Sequence, residues 1–188
     1  MAGGDGARIR CFSRTPCADG TRKSARFIQA AVLSAGGRGT GPGRPFDAER
    51  LFPQMKAIAD TGLLVAFANR RDRYHEWALQ IANQVTEPLL TCEAGLAETA
   101  FHLGSAALAL AFVRDGLVRP AFAVGDHIPR LAELAARYAD RQPDLADLCL
   151  IRLSELHPRH PVITTDFADF RVYRRGRREA IPLIQPPE

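Results

Sequence analysis

Ala57-Ile58-Ala59-Asp60-Thr61-Gly62-Leu63-Leu64-Val65-Ala66-Phe67 holds a single carboxylate between two apolar runs. The pattern reads as a buried strand ending at Asp60, a tight turn at Thr61-Gly62, and a short helix beyond. Open α/β sheets bind their ligands beyond the carboxyl ends of their strands, which is where this reading puts Asp60. An Asp before Thr-Gly is also what a turn or a helix cap asks for. The weight of the argument therefore falls on three later acids that one sheet can bring to the same rim.

Outward from that stretch the text is regular. Asp72 to Gln84 carries Tyr74, Trp77, Ala78 and Ile81 at helical spacing, and Pro88-Leu89-Leu90-Thr91 is a second strand. Cys92 to Leu103 reads as a helix stopped by Gly104, and Ser105 caps another that Gly116 ends. Leu117 to Val124 supplies a third strand, which Pro120 marks as an edge. Two further helices, Asp126 to Tyr138 and Asp144 to Leu156, precede a fourth strand at Pro161-Val162-Ile163-Thr164 and a fifth expected at Phe170-Arg171-Val172-Tyr173. Strands alternating with helices predict a three-layer α/β/α sandwich around a mainly parallel sheet.

Upstream of Met55 the character changes. Residues 1–55 hold nine Lys/Arg against four Asp/Glu and nine of the fifteen glycines, with Gly36-Gly37-Arg38-Gly39-Thr40-Gly41-Pro42-Gly43 at the centre. Such a stretch buries too little apolar surface to offset its ordering entropy. We therefore expect a disordered extension over 1–54 and one folded domain over 55–188. The basic excess belongs to the extension, leaving the body nearly neutral, so overall charge says nothing about nucleic acid. A local cluster does: Arg171, Arg174 and Arg175, with Arg177 and Arg178 beyond, is a candidate for phosphate contacts. Four cysteines without a CxxC pair read as free thiols of a reducing cytoplasm, and the longest uncharged apolar run is too short to span a bilayer.

Four acids stand where solvated charges are not expected or where strands end. Asp60 closes the first strand, and Glu98 sits mid-helix among small and apolar residues. Asp147 occupies the first turns of its helix with Asp144 one turn earlier, and Asp166 follows the fourth strand. Cap, rim and turn roles account for each singly. Jointly they describe carboxylates converging on one pocket, where mutual repulsion is relieved by a divalent cation. Hard oxygen donors suit Mg²⁺ or Mn²⁺, which keep waters and contact substrate phosphates.

These residues resemble the PIN-domain nucleases, and among them the VapC-type toxins of toxin–antitoxin pairs. The resemblance rests on Ala59-Asp60-Thr61-Gly62-Leu63-Leu64, Leu96-Ala97-Glu98, Leu145-Ala146-Asp147 and Thr164-Thr165-Asp166 with Asp169-Phe170 following. It implies a metal-dependent endoribonuclease whose metal-binding quartet falls on Asp60, Glu98, Asp147 and Asp166. A homodimer, and an antitoxin occupying the active-site groove, are further implications. The family usually has Asp-Ala where this chain has Asp147-Leu148, and Asp144 competes with Asp147 for contact with the metal. The rival from another class is a PIN-like RNA-binding or regulatory module that cleaves nothing. Other phosphate chemistries lack their motifs: no G-x-x-x-x-G-K-[ST] and no G-x-S-x-G occurs, and no histidine pair has zinc-ligand spacing.

The break at Met55 generates a first prediction. A protein cut to 55–188 should unfold cooperatively at the temperature of the full chain; insolubility or a clearly lower melting temperature contradicts the boundary.

Overall fold

The computed structural model describes residues 55–187; the expected extension over 1–54, with Cys11 and Cys17, lies outside them. Five strands form one parallel sheet: β1 (Ile58–Ala59), β2 (Leu89–Thr91), β3 (Val118–Pro120), β4 (Val162–Ile163) and β7 (Leu183–Ile184). Their order is β3-β2-β1-β4-β7. A short antiparallel hairpin, β5 (Arg174–Arg175) with β6 (Glu179–Ala180), stands apart from it. Among the described residues seven α-helices connect the strands, α1 (Thr61–Ala68), α2 (His75–Gln84), α3 (Glu93–Leu103), α4 (Ala106–Arg114), α5 (Ile128–Arg137), α6 (Leu145–Leu156) and α7 (Phe167–Phe170), with a 3-10 turn at Val124–His127 before α5. This is the expected α/β/α sandwich.

Alternation along very short strands divides the core in two. Ile58, Leu90 and Val162 face one side, packed with Leu134, Leu150 and Leu153 of α5 and α6. Ala59, Leu89 and Ile163 face the other, packed with Leu64, Ile81 and Phe112 of α1, α2 and α4. Both faces of the three central strands, β1, β2 and β4, are therefore buried, as a parallel sheet covered by helices requires. Among the described residues no helix is long and apolar enough to cross a membrane.

The strand order reverses beside β1. The chain winds from β1 through β2 to β3 on one side, then returns to lay β4 against the other side of β1. A crevice opens at such a switch point, at the carboxyl ends of the two central strands. Asp60 follows β1, and Thr164, Thr165 and Asp166 follow β4, so both expected strand-end acids flank that crevice.

Two local expectations are corrected. No turn intervenes after Asp60: the carboxylate itself caps α1, which starts at Thr61. Gly62 is needed for another reason, since a Cβ there would lie 2.0 Å from Thr165 Oγ1 and 3.2 Å from Thr165 Cβ. The strand expected at Phe170–Tyr173 is not one. Asp166 caps the short α7, Phe170 and Tyr173 are buried as core side chains, and the fifth parallel strand comes later at Leu183–Ile184. The edge role expected of the Pro120 strand holds, since β3 pairs on one side only and ends at that proline. Cys92 and Cys149 are free and buried.

Two helical glycines now separate by packing. Gly95 has only ordinary contacts waiting for a Cβ, at 3.4–3.6 Å. Gly95→Ala should melt at or above the wild-type temperature, since Ala is favoured over Gly in a helix by up to about 1 kcal/mol. Gly62→Ala should melt below wild type because the Thr165 loop must shift. Equal stabilisation by both would contradict the close approach.

Candidate active site

Asp60 is buried and held on both of its carboxylate oxygens. Thr61 N–H donates to its Oδ1 at 2.6 Å and Thr164 Oγ1–H to its Oδ2 at 2.6 Å. The first bond is the helix cap, and the second ties the end of β1 to the end of β4. Burial pushes the Asp60 carboxyl up to about 6, aided by Glu98 and Asp166, although both hydrogen bonds favour the ionised form.

The neighbouring acids arrive on helices. α3 starts after β2, with Cys92 as its cap, and carries Glu98 alongside the first turn of α1. Thr61 Oγ1–H donates to Glu98 Oε2 at 2.9 Å, and His102, one turn on, stands 3.4 Å from Glu98 Oε1. α6 is capped by Asp144, whose Oδ1 accepts from Asp147 N–H at 2.8 Å. Asp147 is thereby fixed on the first turn, and Tyr173 O–H donates to its Oδ2 at 3.2 Å. Burial, then Asp144, Asp60 and Asp166, pushes Asp147 up to about 7 against that hydrogen bond. Asp166 is exposed beyond β4 and accepts from Asp169 N–H at 3.5 Å.

All four expected acids and Asp144 line one cavity of about 450 Å³, which Asp72 and Asp169 also border. Cap duty and membership of the cavity are not alternatives here. Asp60, Asp144 and Asp166 each cap a helix through one carboxylate oxygen and still line the cavity. Sequence reading missed the groups that aim the acids: Thr61, Thr164, His102 and Tyr173. Thr61 and Thr164 stand inside the quoted motifs without a role of their own, and the spacing of His102 one helical turn after Glu98 is a signal that could have found it.

The arginines divide. Arg171 is exposed with its guanidinium over the Phe167 ring at 5.0 Å. Arg174 is half-buried and donates to the carbonyls of Arg171 and Tyr173 at 2.5 and 2.8 Å. Arg175 corrects the expectation of a phosphate contact. It is 6% exposed, and its guanidinium is taken by the Pro158 carbonyl and Glu179.

The electrostatics fix a pH signature for metal-free protein. Folding favours the protonated forms of Asp60 and Asp147, so this contribution is fully present below pH ~4, the unfolded carboxylate range. It is lost as pH rises through about 6 to 7. In EDTA, melting temperature should fall between pH 5 and pH 8, and Asp147→Asn should flatten part of the fall. An Asn variant with the wild-type slope would contradict the crowding.

A profile described as the PIN domain matches residues 57–175. That span starts one residue before β1 and runs through β5, so it takes in every acid of the cavity. No curated protein matches the chain. PIN domains are generally nucleases, a function that agrees with an acidic crevice at a strand-order switch. The match covers well over half of the chain, which therefore belongs to the PIN domain family.

Proposed function

We propose that this protein is a metal-dependent endoribonuclease whose acids Asp60, Glu98, Asp147 and Asp166 hold Mg²⁺ or Mn²⁺ and cut an RNA phosphodiester. The observation that carries the reading is their convergence on one open cavity, with Asp60, Glu98 and Asp147 aimed by dedicated hydroxyl donors. Carboxylates crowded at a functional crevice cost stability, and a cation offsets that cost.

The donor set suits such a cation. Every candidate ligand is a carboxylate, the hard oxygen chemistry that Mg²⁺ prefers, and Asp60 accepts only two hydrogen bonds on its two oxygens. Among the described residues, no three His, Cys, Asp or Glu side chains are gathered closely enough to hold an ion unaided. Mg²⁺ characteristically keeps several waters and takes one or two carboxylates with substrate phosphates, so an open acidic cavity fits it better than a closed cage would. Asp144 stands as a possible additional ligand, although one of its oxygens is committed to the cap. When bound, the ion supplies charge stabilisation on a phosphodiester oxygen and a water acidic enough to serve as nucleophile.

The chain's own groups do the rest. Thr164 and the Thr61 N–H hold the Asp60 carboxylate in one orientation. Thr61 Oγ1 holds Glu98, and the Tyr173 hydroxyl does the same for Asp147. Arg141, which borders the cavity from the α5–α6 loop, is placed to meet a phosphate charge.

That no three such side chains are gathered closely enough to hold an ion unaided among the described residues favours a second reading, a PIN-like module that binds RNA and regulates without cleaving it. Within the first reading, a toxin of a type II toxin–antitoxin pair in the cytoplasm, with an antitoxin in the acidic groove, follows from the resemblance to VapC-type proteins. A homodimer would cover the exposed Phe101, Leu108 and Leu110 of the α3–α4 hairpin.

RNA cleavage separates the two readings. Wild-type protein should cut RNA with Mg²⁺ or Mn²⁺ and not in EDTA, and Asp60→Asn should remove cleavage while RNA binding in EDTA persists. Undiminished cleavage in EDTA would remove the metal mechanism. RNA binding without cleavage under any divalent metal would leave the regulatory module.

A further inference from the structure

α6 carries opposite chemistries at its two ends. Asp147 lies on its first turn at the acidic cavity, whereas Arg152 and Glu155 lie on its last two. Eight residues separate Asp147 from Glu155, about 12 Å along the helix axis. At the far end a second cavity, of about 570 Å³, is walled by Arg130, Arg152, Arg175, Arg177 and Arg178, with Glu155 and Glu179 as its acids.

The acids are already taken. Glu155 accepts from Arg130 at 2.5 and 3.1 Å, from Arg152 at 2.9 Å, and from Gly176 N–H at 3.0 Å. Glu179 pairs with Arg175. Neither Arg177 nor Arg178 has an ion-pair partner among the described residues. Two buried guanidinium nitrogens in the wall, Arg152 Nε and Arg175 Nε, also lack a hydrogen-bond partner. The cavity therefore keeps a surplus of positive charge, with the exposed Arg177 and Arg178 as its free cations among the described residues.

One chain segment joins the two ends. Tyr173 O–H touches Asp147, and three residues later Gly176 N–H touches Glu155. Between and beyond them run Arg174, Arg175, Arg177 and Arg178. The segment turns at Gly176, whose φ of +54° is a conformation that few side-chain-bearing residues adopt. That turn sets Arg177 and Arg178 on the exposed tip of the β5–β6 hairpin.

We infer that the hairpin tip and the cleft behind it form a phosphate-binding extension of the active site, which takes the backbone of single-stranded RNA leaving the acidic cavity over the 171–178 segment, whose Arg171, Arg177 and Arg178 are exposed. The inference rests on RNA as the substrate of that cavity. The separation corresponds to about three or four stacked nucleotides at roughly 3.4 Å each. A strand that reaches both places needs at least that length beyond the scissile bond. Arg175 and Arg152 serve as the built wall, and Arg177 and Arg178 supply the exposed charges that meet phosphates.

The test is binding of the full 188-residue chain to 5′-labelled single-stranded RNA of twenty and of four nucleotides, in EDTA so that cleavage plays no part. The variants are Arg177→Glu/Arg178→Glu and, as a control with the same charge change on the β3 side, Arg114→Glu/Arg119→Glu. The hairpin variant should keep the wild-type melting temperature. It should bind the twenty-mer several-fold more weakly, with a log–log salt slope shallower by about 1.4, the value for two lost phosphate contacts. The control should bind both RNAs as wild type does. Equal weakening by both variants, or no change in slope for the hairpin variant, overturns the extension. A twenty-residue polyglutamate that binds wild type more tightly than the twenty-mer RNA also overturns it, in favour of an acidic protein segment. If wild type binds RNA with this dependence yet cleaves none with metal, the extension stands and the nuclease reading falls.

Discussion

The bond from Thr164 Oγ1 to Asp60 Oδ2 spans 104 residues of sequence and closes the site. It joins the loops that leave the two central strands, at the one place where the order of the sheet reverses. Asp60 is fixed by it from the β4 side and by the α1 cap from its own. Thr61, the next residue, then hands the constraint on: its hydroxyl reaches Glu98 on α3 and the Gly95 carbonyl below it. A charged group this deeply buried needs its hydrogen bonds, because an unpaired carboxylate there would be costly. The polar network at the crevice is therefore as much part of the scaffold as the two apolar layers.

Helix caps and cavity-lining acids coincide in this fold for a physical reason. A parallel α/β sheet starts a helix just beyond the carboxyl end of a strand, so the cap residue sits where ligands bind. An Asp at that place satisfies a helix N–H with one oxygen and presents the carboxylate to the crevice. Asp60 and Asp166 do this at β1 and β4, and Asp144 does it at α6, where it also sets the position of Asp147. The resulting repulsion raises the carboxyls of Asp60 and Asp147, and burial contributes most in both. A structure that accepts this cost without a ligand to offset it would be poorly explained by capping alone, since Asn caps a helix about as well without the charge.

Strand and helix alternation was legible because the buried strands are short apolar runs bounded by turn signals, and the helices carry clear caps at Ser105 and Asp144. The tail of the fold was not. Phe170-Arg171-Val172-Tyr173 is rich in aromatic and β-branched residues as a strand would be, but Asp166 caps a helical turn first and both aromatics pack as core residues. Leu183–Ile184, the actual fifth strand, is two residues among prolines and carries almost no periodic signal. The acids could be named from sequence because carboxylates in apolar surroundings are anomalous. Their orienting groups could not, since Thr61, Thr164 and Tyr173 are unremarkable residues whose partners lie 26 to 104 positions away. Arg175 shows the converse failure: a run of arginines reads as one surface patch, yet hairpin geometry turns this one inward.

The central claim is that these carboxylates form a cation site rather than a set of caps. Titration of Mn²⁺ followed by electron paramagnetic resonance tests it without any assumption about substrate. Wild-type protein should take Mn²⁺ out of the free-ion signal with saturation, and Asp60→Asn and Asp166→Asn should each weaken that uptake severalfold while retaining a cooperative fold. Uptake by both variants indistinguishable from wild type, or none by wild type at millimolar Mn²⁺, would contradict the account.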